Sequence, residues 1–387
     1  MTSETCDACN SSNLSFVYEA PTTTRGLKVY LCETCGLLQS LPRIDHEPNR
    51  KSGYAASGAG FGNIRYGKGF RTAFAIETLQ NFIDLKNVRA VLDIGSNRGD
   101  FLTTFLKINP TCEFVAVEPD NRVLSEYPTS SNLSVIIDRI ENVELPANHF
   151  DLVYSCHTLE HVLSGRQTLE QTYASMKDGG IMCLEVPSIE VLNFTDVVEE
   201  FFMDKHLYHY SGEILTTLIK KVGFNILWGP EDADTTNLTI LAQKVSGEIS
   251  PTATFENAPL VAKTRAAVET YEKTLTRNLE SLKSGAAKVT SLAQDKKVAI
   301  WGAGRIFSSL VEYGELDPHV LSAVVDKKLH ALVKEVFGVK IDNTDTIGHI
   351  QPDIILIASR LYFEEIKSEA TALSPNSEFL SLEDLLG

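Results

Sequence analysis

The sequence predicts an α/β protein with three folded regions. Short apolar runs alternate with helix-like segments over residues 71–246 and again over residues 297–387. This alternation is typical of parallel sheets with helices packed on their faces. Residues 247–296 form a linker followed by a long helix-like stretch, and residues 1–70 carry two CxxC pairs among many turn formers. We therefore expect a cysteine module, a central α/β domain and a second, C-terminal α/β domain.

Eight apolar runs define the predicted strands. Each run has five to seven residues and is bounded by polar or turn-forming residues, as expected for strands buried on both faces of a sheet. The central domain contributes residues 90–94, 114–118, 134–138, 151–155 and 180–186, and the C-terminal domain contributes 298–302, 321–326 and 353–359. The long helix is expected over residues 257–296 because spaced apolar positions alternate there with strong helix formers.

The composition excludes some classes of protein. The formal charge of −16 argues against a general nucleic-acid binder, which needs a basic face. No apolar run reaches the ~18 residues that a membrane-spanning helix needs. The first residues, MTSETCDACN, lack the charged and apolar regions of a secretory signal, so we expect a cytoplasmic, reducing compartment.

The four N-terminal cysteines predict a structural zinc site. Two CxxC pairs supply four thiolates, which suit tetrahedral Zn²⁺ and leave no open position for catalysis. The 22 residues between the pairs slightly exceed the usual spacing of about 15–20. The predicted ligands are Cys6, Cys9, Cys32 and Cys35. The other cysteines, Cys112, Cys156 and Cys183, lie in or beside predicted strands and are expected to be buried.

The segment VLDIGSNRGDFL predicts a nucleotide cradle at the start of the central domain. A strand ends at Asp93, and a loop with Gly95 and Gly99 follows before a helix. Glycine allows a ligand to approach the backbone, and the amides of such a loop point outward. Glu118 ends the next strand, 25 residues after Asp93, where an acid can accept the hydroxyls of an unmodified ribose.

The loop favours S-adenosylmethionine over a dinucleotide. The GxGxxG pattern is absent because Asn97 stands at its second glycine, where a pyrophosphate would be crowded. A plain sheet without a cofactor is the alternative. After the third strand, the Asp138 side chain and the backbone of Arg139 and Ile140 are placed to meet an adenine. The predicted cofactor site comprises Asp93, Gly95, Ser96, Asn97, Gly99, Glu118, Pro119, Asp138, Arg139 and His157.

Nearly the whole chain resembles the sugar-nucleotide C-methyltransferases. DIGSNRGDFL is similar to DIGSNDGTLL of that family, and the cysteine module ends in CETCGLLQ as the family's zinc module does. A Glu185-Val186-Pro187 strand, the segment MDKHLYHYS (203–211) and the segment IWGAGR (300–305) follow in the family's order. The resemblance implies a Rossmann-like class I methyltransferase domain between a zinc module and a second Rossmann-like domain.

The resemblance implies methyl transfer to a carbon beside the ketone of a nucleotide-linked 4-keto-deoxysugar. This reaction needs a base for the α proton and a donor for the enolate oxygen. His206 matches the second histidine of the family's YHEHxSYFS segment, which looks like the base. His157 lies just past the fourth strand, at the edge where such sheets bind ligands. The catalytic candidates are His206, His157, His209 and Tyr208, and His161 is expected to be structural.

The segment also departs from the family pattern. Met203, Asp204 and Lys205 replace the family's tyrosine, first histidine and glutamate, so the orienting acid is missing. Tyr208, His209 or Glu185 then takes that role, or the chemistry differs. An O- or N-methyltransferase acting on a sugar or another small metabolite, and a non-catalytic binding protein, therefore remain alternatives.

The predicted substrate contacts cluster before the central domain. Segment 43–71 has six basic and two acidic residues, a local charge of +4 that suits a pyrophosphate, although a solvated face is the alternative. In the last domain, Gly302 and Gly304 lack a third glycine, because Phe307 stands there, so NAD binding is not expected. The substrate-site candidates are Tyr54, Tyr66, Arg65, Lys68, Glu185 and Arg305, with packing as the alternative role for the tyrosines.

Overall fold

The computed structural model describes residues 4–21, 23, 26–43, 70–230, 236–245, 254–331, 333–359, 362–381 and 384–385. Their contacts divide them into two compact units. The first unit contains the described residues up to 43, then 70–194 and 200–270, and the second contains 195–199 and those from 271 onward. None of the helices described is long and apolar enough to cross a membrane.

A small antiparallel sheet opens the first unit. Its strands are β1 (Leu14–Tyr18), β2 (Lys28–Cys32) and β3 (Leu38–Leu41), and the two-residue strand β9 (Tyr208–His209) extends it beside β3. A segment from far along the chain thus completes the sheet that carries the cysteines. The backbone N–H of Ser40 also donates to the Leu207 carbonyl oxygen at 2.9 Å.

A seven-stranded sheet forms the body of the first unit. Its order is β10-β11-β8-β7-β4-β5-β6, and the five strands from β8 to β6 run parallel. The strands are β4 (Ala90–Ile94), β5 (Glu113–Val117), β6 (Leu133–Ile136), β7 (Phe150–Cys156), β8 (Met176–Pro187), β10 (Phe224–Trp228) and β11 (Asn237–Lys244). The five predicted central strands are confirmed, with ends shifted by up to four residues. The strand order reverses at β4, where open parallel sheets bind their ligands.

Helices cover this sheet because their apolar residues face it. The helices are α1 (Phe70–Gln80), α2 (Asp100–Ile108), α3 (Gly165–Ser175) and α4 (Gly212–Val222). Phe101, Leu102 and Phe105 of α2 are buried together with Val91 and Phe114 of the sheet. The buried runs of the parallel strands explain why the sequence showed continuous apolar stretches rather than alternation.

The second unit contains another parallel sheet. The long helix α5 (Ala258–Asp295) begins in the first unit and ends in the second, and it matches the predicted helix closely. The sheet order is β14-β15-β13-β12-β16-β17, with all but β14 parallel. Its elements are β12 (Val298–Trp301), α6 (Arg305–Glu312), β13 (Ala323–Val325), β14 (Glu335–Val336), β15 (Val339–Asp342), α7 (Thr346–Ile350), β16 (Ile354–Ile357), α8 (Phe363–Leu373) and β17 (Glu378–Leu380). Its assignment as a nucleotide-fold domain stays a prediction.

Candidate functional site

The glycine loop after β4 brings two backbone segments into close contact. Gly95 has a φ of +73°, and a Cβ atom added there would lie 1.9 Å from Oγ1 of Thr158. Gly99 also has a positive φ, of +71°, and it caps α2. Asn97 adopts the left-handed conformation as well, with a φ of +46°. Only glycine fits at position 95, because a side chain there would collide with Thr158; the approach of a ligand to this backbone stays a prediction.

Two buried acids lie beside this loop. Glu118 accepts hydrogen bonds from the backbone N–H of Asn97 at 2.8 Å and of Asp120 at 2.9 Å. Burial raises the pKa of Glu118, and these two amides oppose that rise. Asp93 is only 1% exposed, and its Oδ2 receives no hydrogen bond from the described residues. Burial raises the pKa of Asp93 well above its usual value, and repulsion by Glu118 adds to this. Asp93 is therefore a buried acid whose ionised form lacks a compensating partner within the described residues.

The remaining predicted cofactor residues lie along the same edge. Ser96 Oγ is 2.7 Å from the Tyr127 hydroxyl oxygen, and Pro119 follows Glu118 directly after β5. Asp138 is exposed beyond β6, and hydrogen bonds from the Asn142 side chain and the Arg139 backbone lower its pKa. The Arg139 guanidinium donates to Glu141 at 2.7 Å and to the His161 carbonyl oxygen at 3.2 Å.

His157 stands between two carboxylates at the end of β7. Its Nδ1 lies 3.4 Å from Oε1 of Glu160, and its Nε2 lies 3.3 Å from Oε1 of Glu185. Burial lowers the pKa of His157, but both carboxylates outweigh this and raise it. The backbone of His157 has a φ of +51°, a conformation that costs free energy in a non-glycine residue. His157 is a strained imidazole beside the glycine loop, with its side chain 24% exposed and its Nε2 atom buried without a hydrogen bond from the described residues.

Glu185 on β8 is the centre of a wider polar network. Besides His157, its Oε1 contacts Nε of Arg71 at 3.1 Å, and its Oε2 accepts from the Thr239 hydroxyl at 3.3 Å. The Cys156 thiol donates to the same carboxylate at 3.6 Å. Despite burial, the contacts with His157 and Arg71 lower the pKa of Glu185, so this residue is held ionised.

Glu160 connects His157 to a second pair of histidines. It is 1% exposed, and its Oε1 lies 3.6 Å from Nε2 of His161. The His161 and His206 rings pack edge to face with centroids 4.8 Å apart. Burial opposes ionisation of Glu160, yet His161 and His157 lower its pKa. Burial lowers the pKa of His206 well below its usual value, and the nearby His161 and Lys205 add to this effect.

The other predicted catalytic side chains are buried against the N-terminal sheet. The Tyr208 hydroxyl donates to the Leu163 carbonyl oxygen at 2.5 Å. His209 Nε2 is 3.0 Å from the Ser40 hydroxyl oxygen, and burial lowers the pKa of His209 to about 3. Both residues belong to β9, so their positions are fixed by strand pairing with β3.

The four N-terminal cysteines converge on one point. All four are free thiols, and their sulfur atoms lie within 4.8 Å of one another. Cys6 and Cys35, and likewise Cys9 and Cys32, have sulfur–sulfur distances of 3.5 Å. A tetrahedron with metal–sulfur bonds of about 2.3 Å has sulfur–sulfur edges of about 3.8 Å. The donor set and the spacing therefore fit a Zn²⁺ ion.

Several predicted substrate residues are not located by the structure. Tyr54, Tyr66, Arg65 and Lys68 lie outside the described residues. Arg305 begins α6, but its side chain is also outside the described part. In the loop before it, the Ala303 N–H donates to Oδ2 of Asp326 at 3.1 Å.

Three residues of this site carry little or no signal in the sequence. Glu160 was visible between the two histidines of HTLEH, three positions after His157. Arg71 stands out only as one of the basic residues of segment 43–71, and no local signal predicts its contact with Glu185. Thr158 gave no signal, because its role depends on the close approach of Gly95.

Comparisons with known proteins identify the central domain. Residues 68–227 match a family model described as a methyltransferase domain, and residues 294–378 match one described as C2185-like, N-terminal. A putative S-adenosylmethionine-dependent methyltransferase from Listeria monocytogenes is similar, with 18% identity over 44% of this chain and 98% of that chain and a TM-score of 0.38. A SAM-dependent methyltransferase from Aquifex aeolicus has 15% identity over 49% of this chain and 99% of that chain, with a TM-score of 0.39. No curated protein matched the chain.

The protein is an S-adenosylmethionine-dependent methyltransferase whose methyltransferase domain lies within residues 68–227. The cradle fits this cofactor, because the ammonium and sulfonium groups of S-adenosylmethionine would compensate the buried Asp93 carboxyl group, whose Oδ2 receives no hydrogen bond from the described residues. The expectation of a methyltransferase is thereby confirmed, and the alternative of a non-catalytic binding protein is set aside.

Proposed function

We propose that this S-adenosylmethionine-dependent methyltransferase methylates the carbon beside the ketone of a nucleotide-linked 4-keto-deoxysugar, with His157 as the general base. The observation that carries the proposal is the position of His157, between Glu160 and Glu185 and next to Thr158 at the glycine loop. The choice of a ketosugar rests on the resemblance of the chain to sugar-nucleotide C-methyltransferases. His157 thus takes the role that the sequence favoured for His206.

The cofactor would be held by residues of the carboxyl edge of the sheet. Glu118 would accept the ribose hydroxyls through the lone pairs that its two amide contacts leave. Asp93 would face the cationic groups of the cofactor, and Gly95 would allow the cofactor to approach the backbone. Asp138 would contact the adenine. S-adenosylmethionine supplies, when bound, a methyl group that its sulfonium makes electrophilic.

His157 would remove the proton from the carbon beside the ketone. The proton is taken up on the imidazole, and the carboxylates of Glu160 and Glu185 stabilise the imidazolium that forms. Arg71 contacts Glu185 and its side chain is 35% exposed, so its guanidinium is the candidate donor to the enolate oxygen. His206 is a weaker candidate base because burial disfavours its protonated form.

The basic residues before the central domain would bind the nucleotide diphosphate. Arg65 and Lys68 carry the charge for this role, and Tyr54 and Tyr66 are candidates for stacking on the sugar or base. The four cysteines would hold Zn²⁺ in a structural role, since all four tetrahedral positions are taken by protein ligands.

Exchange of the α proton tests this proposal. The protein is incubated in deuterium oxide with a nucleotide-linked 4-ketosugar, and deuterium at the carbon beside the ketone is followed by NMR. We expect enzyme-dependent exchange that is lost in His157→Asn. Methyl transfer without any exchange would contradict C-methylation and would favour the alternative of an O- or N-methyltransferase.

A further inference from the structure

We propose that Glu160, His161 and His206 form a binding site for a divalent transition-metal cation, separate from the four cysteines. The three residues offer one carboxylate and two imidazoles, a donor set that suits Zn²⁺, Fe²⁺, Mn²⁺ or Ni²⁺. One ligand atom from each lies within 4.8 Å of the others. This inference goes beyond the proposed function, because it concerns binding of a cation and requires no particular acceptor.

Glu160 is the observation that carries the inference. Neither of its carboxylate oxygens accepts a hydrogen bond within the described residues, although the side chain is only 1% exposed. Nδ1 of His157 lies 3.4 Å from Oε1, and a bound cation would add to the compensation of this buried carboxylate, whose burial costs several kcal/mol when it is not compensated. Its Oε1 lies 3.6 Å from Nε2 of His161. Two ligands of one cation at bond lengths of about 2.0–2.1 Å lie about 3.0–3.4 Å apart, so a small movement brings these atoms together.

The orientation of His161 suits metal binding. Its Nδ1 is 2.7 Å from the carbonyl oxygen of Lys205. A carbonyl only accepts hydrogen bonds, so Nδ1 carries the proton, and in the neutral ring Nε2 then directs its lone pair toward Glu160. Metal-binding histidines commonly donate their other ring N–H to such an oxygen, which fixes the tautomer and the ring plane.

His206 completes the donor set. Its ring packs against that of His161 with centroids 4.8 Å apart, and one of its ring nitrogens lies within 4.8 Å of the donor atoms of Glu160 and His161. Three protein ligands leave coordination positions for water or for an oxygen of the acceptor. The short helical turn Leu159–His161 begins two residues after His157, so the cation would add positive charge near the proposed base.

Cobalt titration of the full-length protein tests this site. The protein is first loaded with one equivalent of Zn²⁺, and Co²⁺ is then added while absorption and retained zinc are measured. We expect one further equivalent of Co²⁺ with weak visible bands and without the intense near-ultraviolet absorption that thiolate ligands produce. We expect Glu160→Gln to weaken Co²⁺ binding by at least about 100-fold, since even changes to outer-shell partners cost about 10–100-fold.

Matched variants separate this result from a folding defect. Glu113→Gln removes the carboxylate of an exposed pair, in which Oε1 lies 3.1 Å from Nε2 of His149, and should leave Co²⁺ binding unchanged. If Glu160→Gln fails to fold, His161→Gln replaces it, and retained S-adenosylmethionine affinity reports that either variant is folded. A wild-type protein that binds no Co²⁺ beyond the cysteine site would overturn the proposal, as would equal Co²⁺ affinity in a folded Glu160 or His161 variant. Neither result depends on methyl transfer, so the proposed function stands or falls separately.

Discussion

The two edges of the seven-stranded sheet differ in how completely protein partners compensate their charged side chains. At the amino edge, where β4, β7 and β8 begin, Asp151 accepts from the backbone N–H groups of Arg89 and Ala90 at 3.0 and 2.9 Å and from Lys177 at 2.9 Å. Buried Lys244 donates to Asn148 at 2.9 Å and to the Met176 carbonyl oxygen at 2.8 Å. Each of these charges is matched by partners that belong to the protein.

At the carboxyl edge Glu118 and Glu185 also have partners, but two more deeply buried acids have oxygens that lack hydrogen bonds from the described residues. The Asp93 Oδ2 atom and both Glu160 oxygens receive no hydrogen bond in the part of the chain that the structure describes. His157 adopts a positive φ at the end of β7. Unpartnered buried groups and backbone strain cost free energy. Proteins retain them at sites where the binding of a ligand offsets that cost. The charged groups of the amino edge therefore stabilise the fold, whereas those of the carboxyl edge are suited to bind a ligand.

The largest expected effect comes from His157. His157→Asn keeps a residue that tolerates a positive φ but removes the base, so kcat should fall by about 10²–10⁴-fold while S-adenosylmethionine affinity is retained. Steady-state kinetics and calorimetry measure the two quantities. His149→Asn, near the amino edge, is the matched control and should retain full activity. Normal turnover by His157→Asn would remove His157 from the mechanism.

Gly95→Ala should destabilise the cofactor loop. The new methyl group would lie 1.9 Å from the Thr158 hydroxyl oxygen, and alanine is disfavoured at a φ of +73°. We expect a loss of about 2–4 kcal/mol in the free energy of unfolding and a severe loss of cofactor binding. Adding Thr158→Ala should restore part of both by removing the closest contact. Wild-type stability and affinity in Gly95→Ala would show that the loop is not tightly packed.

Glu118→Ala should weaken binding of the cofactor without a comparable loss of affinity for the acceptor. Loss of a charged hydrogen-bonding partner corresponds to about 1.5–3 kcal/mol, which calorimetric titration with S-adenosylmethionine detects. An unchanged dissociation constant would refute the ribose contact assigned to Glu118.

A pair of isosteric changes compares the two edges directly. Asp151→Asn should lower the free energy of unfolding by about 1–3 kcal/mol, because it weakens hydrogen bonds to a charged acceptor. Asp93→Asn should raise it by about 1 kcal/mol and weaken cofactor binding, because it removes an uncompensated buried charge. Urea unfolding measures both. Destabilisation of similar size at both positions would contradict the comparison.

The same two acids differ in how pH affects stability. The pKa of Asp151 is lowered: burial raises it, but Lys177 and the amides of Ala90 and Arg89 outweigh this. Its stabilising contribution is therefore present at neutral pH and is lost as pH falls through its folded-state pKa, below 3.8. The pKa of Asp93 is raised in the folded state. The protein therefore loses stability as the pH rises above 3.8, the ordinary pKa of this group, because Asp93 ionises more readily in the unfolded state. Comparing unfolding free energies of wild type and each variant between acidic and neutral pH tests both directions.

The sequence predicted the parts of the site that depend on local structure. The strand–glycine–helix segment at Asp93–Gly99 and the acid at Glu118 follow from spacing along consecutive elements of one sheet. The partners of His157 required more information. Glu185 faces it because β7 and β8 pair with Cys156 opposite Glu185, and this register is a tertiary property.

Long-range contacts explain most of what the sequence did not reveal. Tyr208 and His209 looked like catalytic candidates because they follow His206, yet strand pairing with β3 draws them into the N-terminal sheet. Two residues of extended chain give no periodic signal of such pairing. Arg71 reaches Glu185 from α1, a contact between residues more than a hundred positions apart that nothing local encodes.

The most direct test of the account is product analysis with labelled cofactor. The purified protein is incubated with S-adenosylmethionine carrying a ¹³C-methyl group and a panel of nucleotide-linked 4-ketosugars, and products are examined by mass spectrometry and NMR. We predict one methylated product whose new methyl shows one-bond carbon–carbon coupling to the sugar. A methyl group attached to oxygen or nitrogen, or tight cofactor binding with no methylated ketosugar from the panel, would contradict C-methylation of a nucleotide-linked ketosugar.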